Sequence, residues 1–162
     1  VLAQSFHLLK PDGMFIGNMF GGQTLKELRE AFSYADPDSL SPRISPFIDV
    51  QDGGMLLQRA GFNLPVVDTE KISISYESAF HLMHHLRKIG ETNALKKQRK
   101  NFTTKSFMMK VAEYYAEHFS NEEGRVEATF EIITLTGWKP HSSQQKPLAR
   151  GSAKAKLSEA LD

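Results

Sequence analysis

No cysteine occurs among the 162 residues. That excludes a disulfide framework, thiolate metal sites and cysteine nucleophiles. An excess of one charge is missing too. Twenty Lys and Arg against 19 Asp and Glu leave a net charge of +1, so no global field selects nucleic acid or a membrane surface. No run approaches the roughly 18 apolar residues of a membrane span. The glycine pairs, Gly21-Gly22 and Gly53-Gly54, lack the G-x-G-x-x-G cradle that holds phosphates at a strand-to-helix turn. The chain starts Val1-Leu2-Ala3, with no methionine, basic n-region or signal-like apolar segment. We read that start as a cut. The 40% hydrophobic and 24% charged content is that of an ordinary globular protein with one core.

Hydrophobic period lays out the elements. Leu2, Phe6 and Leu9 recur at helical spacing, and Pro11-Asp12-Gly13 stops that helix. Met14 to Phe20 is a near-continuous apolar run, as expected of a strand buried on both faces in a parallel sheet. Thr24-Leu25-Lys26-Glu27 has capping-box spacing, with Leu25, Leu28, Phe32 and Ala35 as one stripe of a helix over 24–35. Residues 36–46 carry three prolines and form a lid or binding loop. Asp49 caps a helix that runs to Ala60, and Gly61 takes the left-handed position after it. Leu64 to Tyr76 is a strand in which Ile72, Ile74 and Tyr76 alternate with Ser73 and Ser75, burying one face. A helix over 78–89 turns Ala79, Phe80, Met83 and Leu86 to the core, and Gly90 ends it. Thr103 or Thr104 caps a helix over about 105–119. Val126 to Trp138 is a strand inside the sheet, and the polar residues from Lys139 onward form a mobile or partner-ordered tail. Strands alternating with helices make this an α/β chain, although three strands with a double-sided apolar one among them make an incomplete sheet.

Candidate site residues cluster after the first strand. In open α/β sheets ligands bind outside the carboxyl edge. Phe20, Gly21, Gly22, Thr24 and Arg29 therefore line the substrate side of a cleft. The plainer reading is a glycine turn, a helix cap and a solvated arginine. His81 and His85 have the i, i+4 spacing of zinc ligands, but no third ligand is evident and the face is a wet one, so no metal is assigned. Arg87, Lys88, Lys96, Lys97, Arg99, Lys100, Lys105 and Lys110 form a basic region, interrupted chiefly by Glu91. It suits an acidic partner or is simply a solvated face. Too few aromatics accompany it for specific nucleic-acid binding. Tyr114, Tyr115 and Trp138 read as core aromatics with satisfied polar tips. Asp68 and Glu70 share one strand face, where they would repel unless paired, so neither is assigned acid–base chemistry. No catalytic residue is assigned.

These residues carry a resemblance. Leu8-Leu9-Lys10-Pro11-Asp12-Gly13 before an apolar strand resembles the entry to the fifth strand of class I S-adenosylmethionine (SAM)-dependent methyltransferases. Leu56 to Phe62 resembles the helix end before the sixth strand, and 126–138 the seventh, antiparallel between them. More specifically, Met19 to Arg29, Ser45-Pro46-Phe47, Arg59 to Asp68, Gly137 to His141, Ser143 to Pro147 and Arg150-Gly151-Ser152 are similar to the mitochondrial complex I assembly factor 5 family and its alphaproteobacterial relatives. Likeness to the malonyl-carrier-protein O-methyltransferases (BioC) of biotin synthesis is more distant.

The resemblance implies the C-terminal portion of a Rossmann-like class I methyltransferase fold. Residues 1–138 would supply its strands 5, 6 and 7, with a helical insertion at 76–122 and a flexible polar tail at 139–162. It implies SAM as cofactor of the intact protein and none for this chain, whose residues hold none of the family's SAM-binding elements. The implied activity is arginine hydroxylation in respiratory complex I assembly, with carrier-protein methylation or a non-catalytic docking module as alternatives. The implied partner is a complex I subunit or an acidic carrier protein. The implied location is the bacterial cytoplasm or, alternatively, the mitochondrial matrix. A strand at 14–20 without its usual neighbours exposes a flat apolar edge, and such edges pair with other chains. The chain is therefore expected to self-associate. Light scattering at high concentration checks this, and a clean monomer would contradict it.

Overall fold

The computed structural model describes residues 1–37, 43–96 and 102–145. In order these form α1 (Leu2–Leu8), β1 (Met14–Phe20), α2 (Lys26–Ala35), α3 (Val50–Arg59), β2 (Asn63–Tyr76), α4 (Ala79–Lys88), α5 (Lys105–Phe119) and β3 (Val126–Trp138). The strands make one sheet in the order β1-β3-β2. β3 is central and antiparallel to both neighbours, pairing Met14 with Trp138 through Phe20 with Ile132 on one side and Tyr76 with Val126 through Val66 with Thr136 on the other. The β2 register shifts between Asn63 and Val66, where Pro65 has no N–H to donate.

β3 changes its buried face halfway along. Val126, Ala128 and Phe130 point to one face and pack with Leu25, Leu28 and Ala31, with Leu82 and Leu86 of α4, and with Val111 and Tyr115 of α5. Ile133 and Leu135 point to the other face and meet Leu57 and Phe62, with α1 and Phe15 against them. The consecutive buried pair Phe130-Glu131 marks the switch. This is why the strand reads as apolar on both sides.

Beyond Phe20, β1 ends but β3 continues, so the β3 backbone groups facing that side need other partners. The β1–α2 turn supplies them. Gly21 N–H donates to Glu131 C=O (2.8 Å) and Leu25 N–H to Thr129 C=O (2.7 Å). The Thr24 hydroxyl donates to Glu131 C=O and accepts from Glu131 N–H, both at 3.0 Å. The Glu27 carboxylate accepts from the N–H and hydroxyl of Thr129. The Tyr115 hydroxyl donates to Glu127 C=O at 2.7 Å. Side chains and a turn thus stand in for the missing strand. Leu25 pays for its place there with a left-handed backbone (φ 55°), a cost of roughly 1–3 kcal/mol offset by its buried side chain.

Several expectations need correction. The capping box of α2 does not form: the helix begins at Lys26, and Thr24 and Glu27 bind β3 instead of the helix end. β1 is not buried on both faces. It pairs antiparallel with β3 alone, and Met14 and Ile16 are 50% and 56% exposed, because among the described residues nothing covers that face or its outer edge. On β2, Ile72 and Ile74 share the face of Tyr76, but only Tyr76 is buried. On α4, Leu82 takes the core position and Phe80 turns outward. Residues 139–145 are tied down rather than mobile. Lys139 exchanges backbone bonds with Asp12 and Gly13, its ammonium donates to Leu9 C=O, and the Gln144 side-chain amide donates to Asp12 and accepts from Asn63. Residues 146–162 lie outside the described residues. Asp49 and Thr104 do cap α3 and α5, Ser78 caps α4, and Gly61 has φ 95°.

Two measurements probe this arrangement. Thr24→Val keeps the shape but strands the buried Glu131 N–H. It should cost about 1–3 kcal/mol, read as a lower urea midpoint at unchanged slope. Burial holds the Tyr115 hydroxyl well above its ordinary pKa, with the Glu27 charge adding to the effect. The folded state then keeps a proton that the unfolded state loses above about pH 10. Stability contributed by that group is complete below that pH and falls as pH rises beyond it, by about 1.4 kcal/mol per unit. Alkaline unfolding should coincide with tyrosinate absorbance, and Tyr115→Phe should flatten the dependence.

Candidate functional site

The carboxyl end of β1 opens into a cleft. Its larger cavity, about 500 Å³, is lined by Asn18, Met19 and Phe20 of β1, Pro46, Phe47 and Ile48 of the loop before α3, Ile132 of β3, and Glu91. A second cavity of about 260 Å³ adjoins it, sharing Phe47 and Glu91 and reaching between α2 and α4 to Arg43, Ser45, Arg87 and Asn93. The wall is aromatic. Phe20 meets Phe47 edge-on at 5.8 Å and Phe130 at 6.0 Å. Ile48 is held beside Gly21 by a parallel bridge, which fixes the loop against the strand end.

The expected site residues separate on this geometry. Phe20 lines the cleft. Gly21 is packed against β3: a Cβ there would lie 2.5 Å from a Glu131 carboxylate oxygen, so any larger residue has to displace the Glu131 side chain. Thr24 is 1% exposed with its hydroxyl committed to Glu131, which takes it out of reach of a substrate. Arg29 donates to the carbonyls of Gly22 and Thr24, so its guanidinium braces the turn. Gly22 contributes that carbonyl to the brace.

Sequence reasoning missed Glu91, Phe47 and Asn18 as lining groups. Glu91 had one visible signal, an acid interrupting a basic run just after Gly90. Gly90 adopts φ 84° and closes α4 with two bonds, its own N–H to Arg87 C=O and Glu91 N–H to Leu86 C=O. That is a Schellman ending, and it fixes the backbone from which the Glu91 side chain leaves. Among the described residues no ion pair or hydrogen bond engages the Glu91 carboxylate. Arg43, by contrast, lies over the Phe107 ring at 4.1 Å and pairs with Asp36 at 3.9 Å.

The other candidates lie apart from the cleft. His85 Nδ1 is 2.8 Å from the Tyr76 hydroxyl, which assigns the His85 proton to Nε2 when the tyrosine donates. Desolvation raises the Tyr76 pKa, consistent with that donor role. His81 faces Glu77 at 3.6 Å rather than His85. Among the described residues no three His, Asp or Glu side chains gather as metal ligands. Asp68 and Glu70 are exposed opposite Thr134 and Ile132. Arg87, Lys88, Lys96, Lys105 and Lys110 are exposed, while Lys97, Arg99 and Lys100 lie outside the described residues. Tyr115 is a buried core aromatic, whereas Tyr114 stacks on Tyr34 (4.3 Å) and donates to Glu30.

In the turn after β1 the amides of Gly21, Gln23, Thr24 and Leu25 are spent within the fold, with Gln23 N–H on the Glu131 carboxylate at 2.9 Å. No helix among the described residues is long and apolar enough to cross a membrane.

No protein-family model matches the chain. It is 45% identical over 161 residues to the mitochondrial arginine-hydroxylase NDUFAF5 of Homo sapiens, covering 98% of this chain and 46% of that protein. It is 45% identical over 156 residues to the same protein of Dictyostelium discoideum, covering 94% and 36%. It is 36% identical over 140 residues to the malonyl-[acyl-carrier protein] O-methyltransferase of Methylovorus sp., covering 86% and 46%. Among solved structures, the YcgJ protein of Bacillus subtilis aligns with 87% of this chain and 57% of its own at a TM-score of 0.47 and 12% identity, below the level from which a shared fold is inferred. The chain spans less than half the length of these curated relatives, and along nearly all of its own length its sequence is similar to the NDUFAF5 arginine hydroxylases and, at lower identity, to the malonyl-[acyl-carrier protein] O-methyltransferases.

Proposed function

We propose that the full-length protein hydroxylates an arginine side chain of a protein substrate, a respiratory complex I subunit under assembly, and that this chain forms the substrate side of the enzyme. The observation that carries the reading is 45% identity to arginine hydroxylases across 94–98% of the chain, against 36% to the carrier-protein methyltransferase. In this reading β1, β2 and β3 are the fifth, sixth and seventh strands of a Rossmann-like class I methyltransferase fold, and SAM binds elements outside this chain. The central, antiparallel placement of β3 supports that correspondence. Hydroxylation inserts one oxygen atom into the side chain. With dioxygen as donor it also consumes two electrons and two protons, and the second oxygen leaves as water. This chain's contribution is to bind and orient the arginine. Alone it is inactive. Its unpaired β1 edge joins a second strand, from another copy or from the rest of the protein. The compartment is the mitochondrial matrix or the bacterial cytoplasm.

A second reading has its own support. Exposed Arg87, Lys88, Lys96, Lys105 and Lys110 suit an acidic carrier protein, and Arg87 also lines the smaller cavity. The full-length enzyme would then methylate a malonyl carboxyl group.

Mass spectrometry separates the two. The full-length protein should add the mass of one oxygen atom to an arginine of its subunit, whereas this chain alone should yield no product and no heat on titration with SAM. A methyl ester on a malonyl carrier protein with unmodified arginine would replace the first reading with the second. No product from either substrate would leave a docking module.

A further inference from the structure

We infer that Glu91, with the rings of Phe20 and Phe47, forms a receptor for a guanidinium group entering the larger cavity. Among the described side chains lining that cavity, Glu91 alone ionises, so the space favours a cation. Among the described residues nothing engages its exposed carboxylate, while the other acids packed near the β1 end are engaged: Glu131 by Gln23 N–H and Thr69, and Glu27 by Thr129. Phe20 and Phe47 present a T-shaped pair beside it. A planar guanidinium matches both parts. Its fork donates two parallel hydrogen bonds to one carboxylate, and its face stacks on an aromatic ring. Asn18, on the same wall, adds a side-chain carbonyl as a further acceptor. The Schellman turn at Gly90 holds the Glu91 backbone in place before the ligand arrives, which lowers the ordering cost of binding.

The two arginines nearby do not fill this role. Arg43 is held by Asp36 and the Phe107 ring, and Arg87 lines the smaller cavity and makes no ion pair with Glu91. The choice of arginine over another cation rests on the hydroxylase reading. The charge and shape of the receptor do not.

The test is an NMR titration of this chain with N-acetyl-arginine methylamide and with its neutral isostere, N-acetyl-citrulline methylamide. The arginine probe should shift Asn18, Phe47, Ile48 and Glu91, and the citrulline probe should bind about tenfold more weakly, the scale of one charge-assisted contact. Glu91→Gln should weaken the arginine probe to a similar degree. Asp52→Asn, an equal change of charge on the exposed face of α3, should not. Equal binding of the two probes, unchanged affinity in Glu91→Gln, or tighter binding of malonate at the same residues would overturn the receptor. Its fate is separable from that of the hydroxylase reading. Full-length Glu91→Gln that hydroxylates arginine with an unchanged KM removes the receptor and leaves the reading. A wild type that hydroxylates nothing, yet whose arginine probe still depends on Glu91, does the reverse.

Discussion

A backbone N–H or C=O taken out of water must find a partner, and on β3 that demand outlasts the strand beside it. β1 stops at Phe20, while β3 still has Glu131, Thr129 and Glu127 facing the same side. The turn after β1 answers with whatever groups lie within reach: two amides, one hydroxyl, one carboxylate and a phenol from α5. The rest of the architecture follows from this substitution. It sets where α2 starts, forces Leu25 into a left-handed conformation, and brings Leu25 and Leu28 down onto the larger core. It also seats the Glu131 carboxylate against Gly21, where a larger residue would have to displace it. The glycine after the strand therefore answers to packing before it answers to any ligand.

The cleft is a by-product of the same geometry. With the turn drawn inward to β3, the carboxyl end of β1 is walled on one side by its own Met19 and Phe20 and on the other by the loop carrying Phe47 and Ile48. α4 ends above it. Phe20 and Phe47 wall an open cleft with exposed Glu91 at its rim, so a cation that enters it meets an aromatic surface and one negative charge. Sign of charge, more than shape, then decides what is accepted.

Much of this was legible in the amino-acid sequence. Met14–Phe20 and Val126–Trp138 are bounded as their apolar runs predict, since Gly and Pro punctuate one and a turn and a Lys-Pro pair the other. The expected caps at Asp49 and Thr104 form, and Ser78 adds a cap to α4 beyond those expected. The failure at Thr24 is the instructive one. Its local pattern is that of a capping box, but its partner is 107 residues away, and a buried strand edge outbid the helix end. No window along the chain carries that information. Phe80 and Leu82 exchanged roles for a similar reason. Both fit a helical stripe, and the way α4 packs on α5 and β2 determines which of them is inside. Glu91 was hidden within a basic run, where composition argues for solvent, although the Gly90 turn beside it aims the chain at the cleft.

The centre of the sheet is also its last strand in sequence. β1 and β2 never touch through hydrogen bonds. Each waits for β3, so β1 pairs with residues more than a hundred positions downstream. At ordinary rates of synthesis the apolar face of β1 leaves the ribosome on the order of ten seconds before its partner does. During that interval β1 and β2 lack the strand that joins them, and bringing β1 to β3 closes a long loop at an entropic cost. Putting the keystone strand last makes folding of this segment an all-or-nothing event at its carboxyl end. A chain cut short before Val126 would lose the strand that joins β1 to β2, not just an edge of the sheet.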